Sequence, residues 1–128
     1  MHAIKTVFTL PIDLTAPAAD YEVIPPTPMR LIALTQQWEI KTTGGVIAVA
    51  PTVSLGSNAT FDNLAASQTK AGFITQPAET AVPLSFVAPL IYADLTLYGL
   101  KVRVTAPATG TSPVLTARVV FSYITVPL

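Results

Sequence analysis

Side chains on which catalysis and metal binding often depend are missing or scarce in this sequence. It has no cysteine, one histidine (His2) and 11% charged residues in a chain of 128. Without cysteine there is no disulfide framework, thiolate zinc site or thiol nucleophile, and a single histidine near the N-terminus is a poorly placed base. These absences exclude the commonest catalytic residue sets.

Charge of either sign is equally scarce. Seven basic and seven acidic residues cancel to a formal net charge of zero. Because nucleic acids and anionic membranes bind clustered Lys and Arg, we predict no nucleic-acid partner and no membrane partner. The most apolar stretch, residues 81–92, contains Pro83 and Pro89 and is shorter than the roughly 18 residues that a spanning helix needs. Residues 1–5 show no secretory signal, which predicts synthesis in the cytoplasm.

Apolar residues, in contrast, are abundant. Leu, Ile, Val and Phe supply 40 of the 128 residues, well above the roughly one-fifth below which a chain stays disordered. We therefore predict a single folded domain over residues 1–128, with a possible N-terminal arm at residues 1–14. So apolar a chain leaves more apolar surface than a monomer needs, which predicts a homo-oligomer.

The composition also predicts the fold class. Twelve prolines and eighteen threonines, with few strong helix formers, favour strands over long helices. Short strands separated by Pro and Gly predict an all-β antiparallel β-sandwich, jelly-roll-like, with at most one or two short helical turns at residues 61–67. The predicted strands are residues 4–10, 20–24, 29–36, 38–41, 46–49, 53–55, 73–75, 84–87, 94–105 and 115–126.

Two of these regions carry a more specific prediction. Residues 29–36 are apolar on both faces, which suggests a central strand or one packed against another subunit, and Thr43-Gly44-Gly45 is typical of a hairpin turn. Residues 94–105 and 115–126 alternate strongly, so we predict a long antiparallel hairpin with one buried face. The predicted buried face comprises Thr96, Tyr98, Leu100, Val102 and Val104 in the first arm, and Leu115, Ala117, Val119, Phe121 and Tyr123 in the second.

Polar residues offer only weak candidates for chemistry. Asp13, Asp20 and Glu22 form the densest acidic group but match no calcium-loop spacing, and Asp62 with Asn63 is better explained as a helix cap. Nothing in the sequence brings Asp94 and Glu79 together as an acid and base pair. Three further motifs have simpler explanations: Ser54 and Ser57 lack a nucleophile-elbow arrangement, Gly44-Gly45 matches no phosphate loop, and Asn58-Ala59-Thr60 matches a glycosylation acceptor by chance.

Aromatic and basic residues are further candidates for binding groups. Trp38, Tyr92, Tyr98 and Tyr123 would stack on sugar rings if exposed, although burial in the core or between subunits is the simpler interpretation. Lys101, Arg103 and Arg118 would form a small basic patch, or else a solvated face or interfacial salt bridges. We predict no catalytic, cofactor-binding or metal-ligating residue and no cofactor.

Several segments carry a resemblance to a family. Val82-Pro83-Leu84 before a strand, a threonine- and glycine-rich turn, the run Val114 to Ile124, and Pro51 to Gly56 together resemble small virion proteins of tailed bacteriophages. The resemblance implies a capsid decoration or cement subunit of jelly-roll or related sandwich fold, often trimeric and bound to the outer face of the head. It carries no catalytic motif that could be transferred to this chain.

The composition predicts a protein that self-associates, and the resemblance implies a non-enzymatic phage structural protein that forms a homotrimer and stabilises the head. Its expected partner is the major capsid protein or another virion protein, and its expected location is the virion, assembled in host cytoplasm. The alternative is a glycan-binding or host-receptor-binding β-sandwich module of a virion or cell surface.

Overall fold

A computed structural model describes residues 3–73, 79–89 and 91–127. The described residues form ten strands and one 3-10 turn at Ala71–Phe73. The strands are β1 Lys5–Phe8, β2 Ile12–Asp13, β3 Ala19–Ile24, β4 Arg30–Val49, β5 Thr52–Gly56, β6 Ala65–Thr69, β7 Glu79–Val82, β8 Ile91–Asp94, β9 Leu100–Ala106 and β10 Thr109–Val126.

The strands form two antiparallel sheets. In sheet 1, β10 and β4 lie side by side, β1 and β2 pair with the other edge of β10, and β7 and β8 pair with the other edge of β4. Sheet 2 has the order β3-β9-β5-β6. With β1 and β2 counted as one strand, and β7 and β8 as one, there are eight strands in the orders 1-8-3-6 and 2-7-4-5. This is a two-stranded ribbon wrapped into a jelly roll, so the predicted all-β sandwich is confirmed.

Alternating side chains from both sheets form the core. Leu100, Val102 and Val104 of β9 are buried, as predicted. Thr96 and Tyr98, predicted on the same face, lie in the turn before β9, where Thr96 is exposed and Tyr98 is partly buried. On β10 the predicted face is also buried, comprising Leu115, Ala117, Val119 and Phe121, with Tyr123 partly buried against it. The period of two in the sequence therefore identified the core-facing side of both strands.

The predicted long hairpin of residues 94–105 and 115–126 is wrong. β9 lies between β3 and β5 in sheet 2, whereas β10 lies between β4 and the β1 and β2 edge in sheet 1. The first predicted arm is also two strands, β8 and β9, with Gly99 at a φ of 67° between them. Alternation shows which side of a strand is buried but does not show its partner, and the chain crosses between sheets at Pro107-Ala108.

β4 is a single strand of 20 residues, so the predicted division into separate strands is also wrong. A bulge between the Thr35–Ser122 and Ala33–Tyr123 pairs changes which positions face the core. Leu31 and Ala33 are buried before the bulge, and Gln36, Trp38 and Ile40 after it. From the bulge onward the even-numbered positions face the core, whereas Ile32, before the bulge, faces the outer side of the sheet.

The segment predicted to be a hairpin turn is instead a sharp bend in the β4–β10 ribbon. Gly45 has a φ of 67° and Ser112, almost opposite it, a φ of 46°. Leu14, fully buried, joins the two limbs of the bend: its N–H donates to the Leu115 carbonyl at 2.9 Å, and its carbonyl accepts from Ala108 N–H at 2.8 Å. Since six extended residues would span about 20 Å, the chain between Ala108 and Leu115 must double back.

Three shorter predictions also differ from the structure. The predicted helical turns at residues 61–67 are a loop followed by the start of β6, and the 3-10 turn lies later, at Ala71–Phe73. Phe73 belongs to that turn rather than to a strand, and Ile74 and Thr75 lie outside the described residues. Residues 84–87 are irregular, although the Leu84 side chain is buried.

Candidate functional site

The fold separates the acidic residues that were considered as metal ligands. Asp13 ends β2 in sheet 1, where its Oδ1 accepts hydrogen bonds from the Thr15 N–H and hydroxyl at 2.9 and 2.6 Å. Asp20 lies in sheet 2 and binds Arg103 with both carboxylate oxygens, at 2.8 and 3.1 Å, while Glu22 pairs in register with Lys101. Within residues 3–73, 79–89 and 91–127, no three His, Asp or Glu side chains form a metal-sized cluster.

Asp62 closes a polar loop instead of capping a helix. Its Oδ1 accepts from Asn58 Nδ2 at 3.0 Å and from the Thr60 hydroxyl at 2.7 Å, and its N–H donates to Asn58 Oδ1. Asn63 supports the same loop through the Ser57 N–H, 2.7 Å from Asn63 Oδ1. The hydrogen bonds from Asn58 and Thr60, helped by the charge of Arg103, hold the pKa of the Asp62 carboxyl below its ordinary value of 3.8.

Acid is therefore expected to weaken this loop. A carboxyl whose pKa is lower in the folded state stabilises the fold above its unfolded pKa, and that contribution is lost as pH falls below 3.8. A carbon-detected NMR titration should give Asp62 a midpoint below 3.8. Thr60→Val should move the midpoint upward, whereas Thr96→Val, which removes the matching donor to Asp94, should leave Asp62 unchanged. A midpoint for Asp62 at or above the ordinary value contradicts the hydrogen bonding described.

The remaining catalytic candidates are held apart or occupied. In the strand register Glu79 lies opposite Lys41 and Asp94 opposite Arg30, so the backbones of the two acidic residues are roughly 35 Å apart at the rise of a strand. The buried Ser54 hydroxyl donates to the Phe61 carbonyl at 2.8 Å. His2 lies outside the described residues.

The three basic residues do not form one patch. Lys101 and Arg103 lie on the outer side of sheet 2, where their charged groups are 5.2 and 5.1 Å from the centre of the Phe61 ring. Arg118 lies in sheet 1, where its Nε donates to Glu39 at 2.9 Å. Both arginines are therefore neutralised by an acid on the neighbouring strand.

Of the four aromatic side chains considered for sugar stacking, only one is exposed. Trp38 is fully buried with its ring centre 5.8 Å from that of Phe73, Tyr98 packs edge-on against Phe61, and Tyr123 stacks on Phe121. Tyr92 is 62% exposed on β8. Core packing is thus the role of Trp38, as the simpler interpretation predicted.

Tyr92 belongs to an apolar row on the outer side of sheet 1. Tyr92 pairs with Ile32 of β4, and Ile32 pairs with Ile124 of β10, so the three side chains are neighbours across three strands. Further along this side, a depression of about 590 Å³ lies over the strands next to Pro11 and is lined by Glu39, Lys41 and Arg118 among others. Glu39 and Arg118 are paired with each other, so neither of these two is a free catalytic group.

Two other groups of exposed apolar residues lie at the ends of sheet 1. The first lies within the predicted N-terminal arm of residues 1–14. From here on the name N-terminal arm is used for residues 3–10 alone, in which Ile4, Phe8 and Leu10 are exposed. The second is the outside of the ribbon bend, with Val46, Val49 and Val114. The alternation of residues 4–8 identifies one face of this strand, but it does not show that the apolar side chains on that face are exposed. The second depends on the bend and has no comparable signal.

The strand surfaces of the described residues combine two ion pairs with exposed large apolar side chains. Asp20 with Arg103, and Glu39 with Arg118, pair across neighbouring strands, while large apolar side chains remain exposed on sheet 1 and the bend. No helix among the residues described has the length and apolar character to cross a membrane.

Comparison with known proteins gives a match in structure but not in sequence. No protein-family model matches the sequence, and no curated protein matches it. Among solved structures, the fold is similar to a chain of the cyanophage Pam1 capsid asymmetric unit, with a TM-score of 0.58 and 12% sequence identity. The match covers 96% of this chain and 85% of the other, which is therefore only slightly longer. Over nearly its whole length, this chain has a fold also found in a phage capsid.

Proposed function

We propose that this protein is a non-enzymatic structural protein of a tailed-phage virion, and that it decorates the capsid. The observation that carries the proposal is the shared fold with a phage capsid chain of similar length, matched over 96% of this chain. A jelly roll also occurs in lectin domains, so the fold alone leaves two classes of function open. The surface supports the structural one.

The distribution of charge and apolar area supports a contact protein. Asp20 with Arg103, and Glu39 with Arg118, neutralise each other within the chain. In contrast, the apolar row of sheet 1 and the N-terminal arm expose side chains that gain free energy when covered, at about 25 cal/mol per Å² of apolar surface buried. Such surfaces suit association with other copies, in a homotrimer, and with a capsid protein.

Stabilisation of the head then follows from mass action. A subunit that binds only the assembled lattice stabilises it by its binding free energy, about 2.7 kcal/mol per site at a hundred times Kd. A trimer with three contacts to the lattice binds more tightly than one subunit because the second and third contacts are intramolecular. The reinforcement needs no catalytic residue, and the proposed site of assembly is the host cytoplasm.

The proposal is tested on virions and on heads stripped of this protein. Mass spectrometry of purified virions should find it in hundreds of copies, and adding the purified protein to stripped heads should raise their disruption temperature. Absence of the protein from the particle overturns the proposal. A few copies per particle would place it in the tail and would overturn the decoration role.

A glycan-binding or host-receptor-binding module is the second candidate, favoured by one observation. Tyr92 presents an exposed ring beside the apolar side chain of Ile32, and sugars bind such surfaces by stacking. Reproducible binding on a glycan array that is lost in Tyr92→Ala and kept in Tyr92→Phe would favour this alternative. Binding to stripped heads without glycan binding favours decoration.

A further inference from the structure

The N-terminal arm holds a large share of the exposed apolar side chains of sheet 1. Ile4 is 68% exposed, Phe8 60% and Leu10 86%. Within β1 only Val7 packs against the core, because it lies opposite the buried Phe121, while Thr6 and Phe8 point to the outer side with Ser122 and Val120. The arm thus packs only Val7 and Thr9 against its own chain and presents three apolar side chains to its surroundings.

Hydrogen bonds to the backbone of one neighbouring strand, β10, attach the arm. β1 pairs with residues 120–123 of β10, the Thr9 N–H donates to the Val119 carbonyl, and the Val119 N–H donates to the Thr9 hydroxyl. β2 then resumes pairing at Ala117. Between these two attachments lie Leu10 and Pro11, both exposed and outside any strand. Pro11 favours an extended conformation at Leu10. An extended hinge would let the arm reach away from its own domain toward a neighbouring copy.

We propose that the N-terminal arm exchanges between copies, so that the β1 of one copy pairs with the β10 of the next. The occupant of the β10 edge is then a second copy of this chain, and Leu10-Pro11 is the hinge. Exchange of an identical element keeps every β1–β10 hydrogen bond and the Val7 contact, now made between chains. Exchange adds a contact between copies near the hinge. Leu10 and Phe8, which are exposed within one chain, are the side chains available for that contact.

Exchange also accounts for a strand that makes few contacts with the core of its own chain. Backbone pairing is independent of side-chain identity, so the β10 edge accepts any extended strand, and the opposite positions decide the register. Here those positions are Thr6 opposite Ser122 and Phe8 opposite Val120, with Arg118 5.1 Å from the Phe8 ring. The same set of contacts would form in an exchanged ring. This inference rests on the self-association in the proposed function and names how the copies are joined.

The absence of cysteine allows a direct test by disulfide trapping. Thr6 and Ser122 are directly opposite, with their hydroxyl oxygens 3.1 Å apart, and opposite residues in antiparallel strands have Cα separations of about 4.5–5.5 Å, within disulfide range. Thr6→Cys combined with Ser122→Cys should oxidise between chains if arms are exchanged. The full chain would run on a non-reducing gel at about three times its monomer mass for a cyclic trimer, and at monomer mass after reduction.

A matched pair controls for random cross-linking. Thr52 and Thr69 are opposite in β5 and β6, with hydroxyl oxygens 2.8 Å apart, and these strands are too close in sequence to exchange in the same way. Thr52→Cys with Thr69→Cys should oxidise within the chain and remain a monomer on the same gel. Covalent trimers, or dimers from reciprocal exchange, in the first variant alone support the proposal.

An intrachain disulfide in the first variant overturns arm exchange. If that oxidised variant still binds stripped heads, only exchange fails and the decoration role stands; if the protein is absent from virions, the decoration role fails whatever the gel shows. Deleting residues 1–10 gives a second measurement that does not depend on disulfide formation. Unchanged oligomer mass in the deleted chain, by light scattering, also overturns the proposal.

Discussion

Leu100→Ala is expected to lower the free energy of unfolding by about 3–5 kcal/mol, the range for a fully buried leucine that leaves a cavity. Leu100 is fully buried on β9, opposite Ile24 of β3, where sheet 2 faces the core. Such a loss is a large part of the stability of a typical domain, about 5–15 kcal/mol. Urea unfolding followed by tryptophan fluorescence measures it through the buried Trp38.

Leu97→Ala is the matched control, because it removes the same atoms three residues earlier. Leu97 is 74% exposed in the turn between β8 and β9, so its loss should change the free energy of unfolding by no more than about 0.5 kcal/mol. Similar losses for the two variants would contradict the placement of Leu100 in the core and Leu97 outside it. Dilute protein should be used, so that subunit contacts do not contribute.

Gly45→Ala is expected to destabilise the protein by about 2–3 kcal/mol, because it forces a side chain onto the bend of the β4–β10 ribbon. Gly45 has a φ of 67°, which L residues with a Cβ rarely adopt, and an added Cβ would overlap the carbonyl of Ser112. To accept it, the bend must open, and opening strains the two hydrogen bonds through Leu14. Thermal unfolding monitored by circular dichroism measures the loss.

The neighbouring glycine gives the control for that substitution. A Cβ at Gly44 would meet Val114 Cγ2 at 3.5 Å, an ordinary contact, and Gly44 has no positive φ. Gly44→Ala should therefore leave stability within about 0.5 kcal/mol of the original. If Gly45→Ala were equally harmless, the bend would not depend on a left-handed residue at this position.

A period-two pattern identifies the buried face of a strand but not the strand that pairs with it. The buried faces of β9 and β10 could be predicted because burial of one face requires alternation along the strand itself. The partners of these strands could not, since an alternating strand fits any apolar neighbour. The predicted hairpin between them therefore failed, although each face was correct.

A second failure has a different physical cause. Thr43-Gly44-Gly45 has the composition of a tight turn, and Gly45 does adopt the positive φ that such a turn needs. However, the same dihedral angle bends a pair of strands when the partner strand has a bulge at the opposite position. β10 has such a bulge around Ser112, opposite Gly45. Only the pairing with β10, about 70 residues later, distinguishes the two outcomes.

The sequence predicted that the protein has an exposed apolar surface, but it did not predict where that surface lies. An apolar, charge-poor composition predicted exposed contact surface, and exposed apolar side chains are present on sheet 1 and the bend. Their location depends on pairs such as Tyr92 with Ile32, which the sequence pattern did not identify. The ion pairs could not be predicted for the same reason, because Asp20 and Arg103 are 83 residues apart in the chain.

The wrapped ribbon also determines the order in which the chain can fold as it leaves the ribosome. Lys5 pairs with Tyr123 and Asp20 with Arg103, so neither sheet closes until the last quarter of the chain has been synthesised. β5 and β6 form the closest pair along the chain among the described strands. Such non-local pairing is typical of slow-folding β-domains. β10 completes sheet 1, and the edge on which the arm rests is thus the last part of the domain to exist.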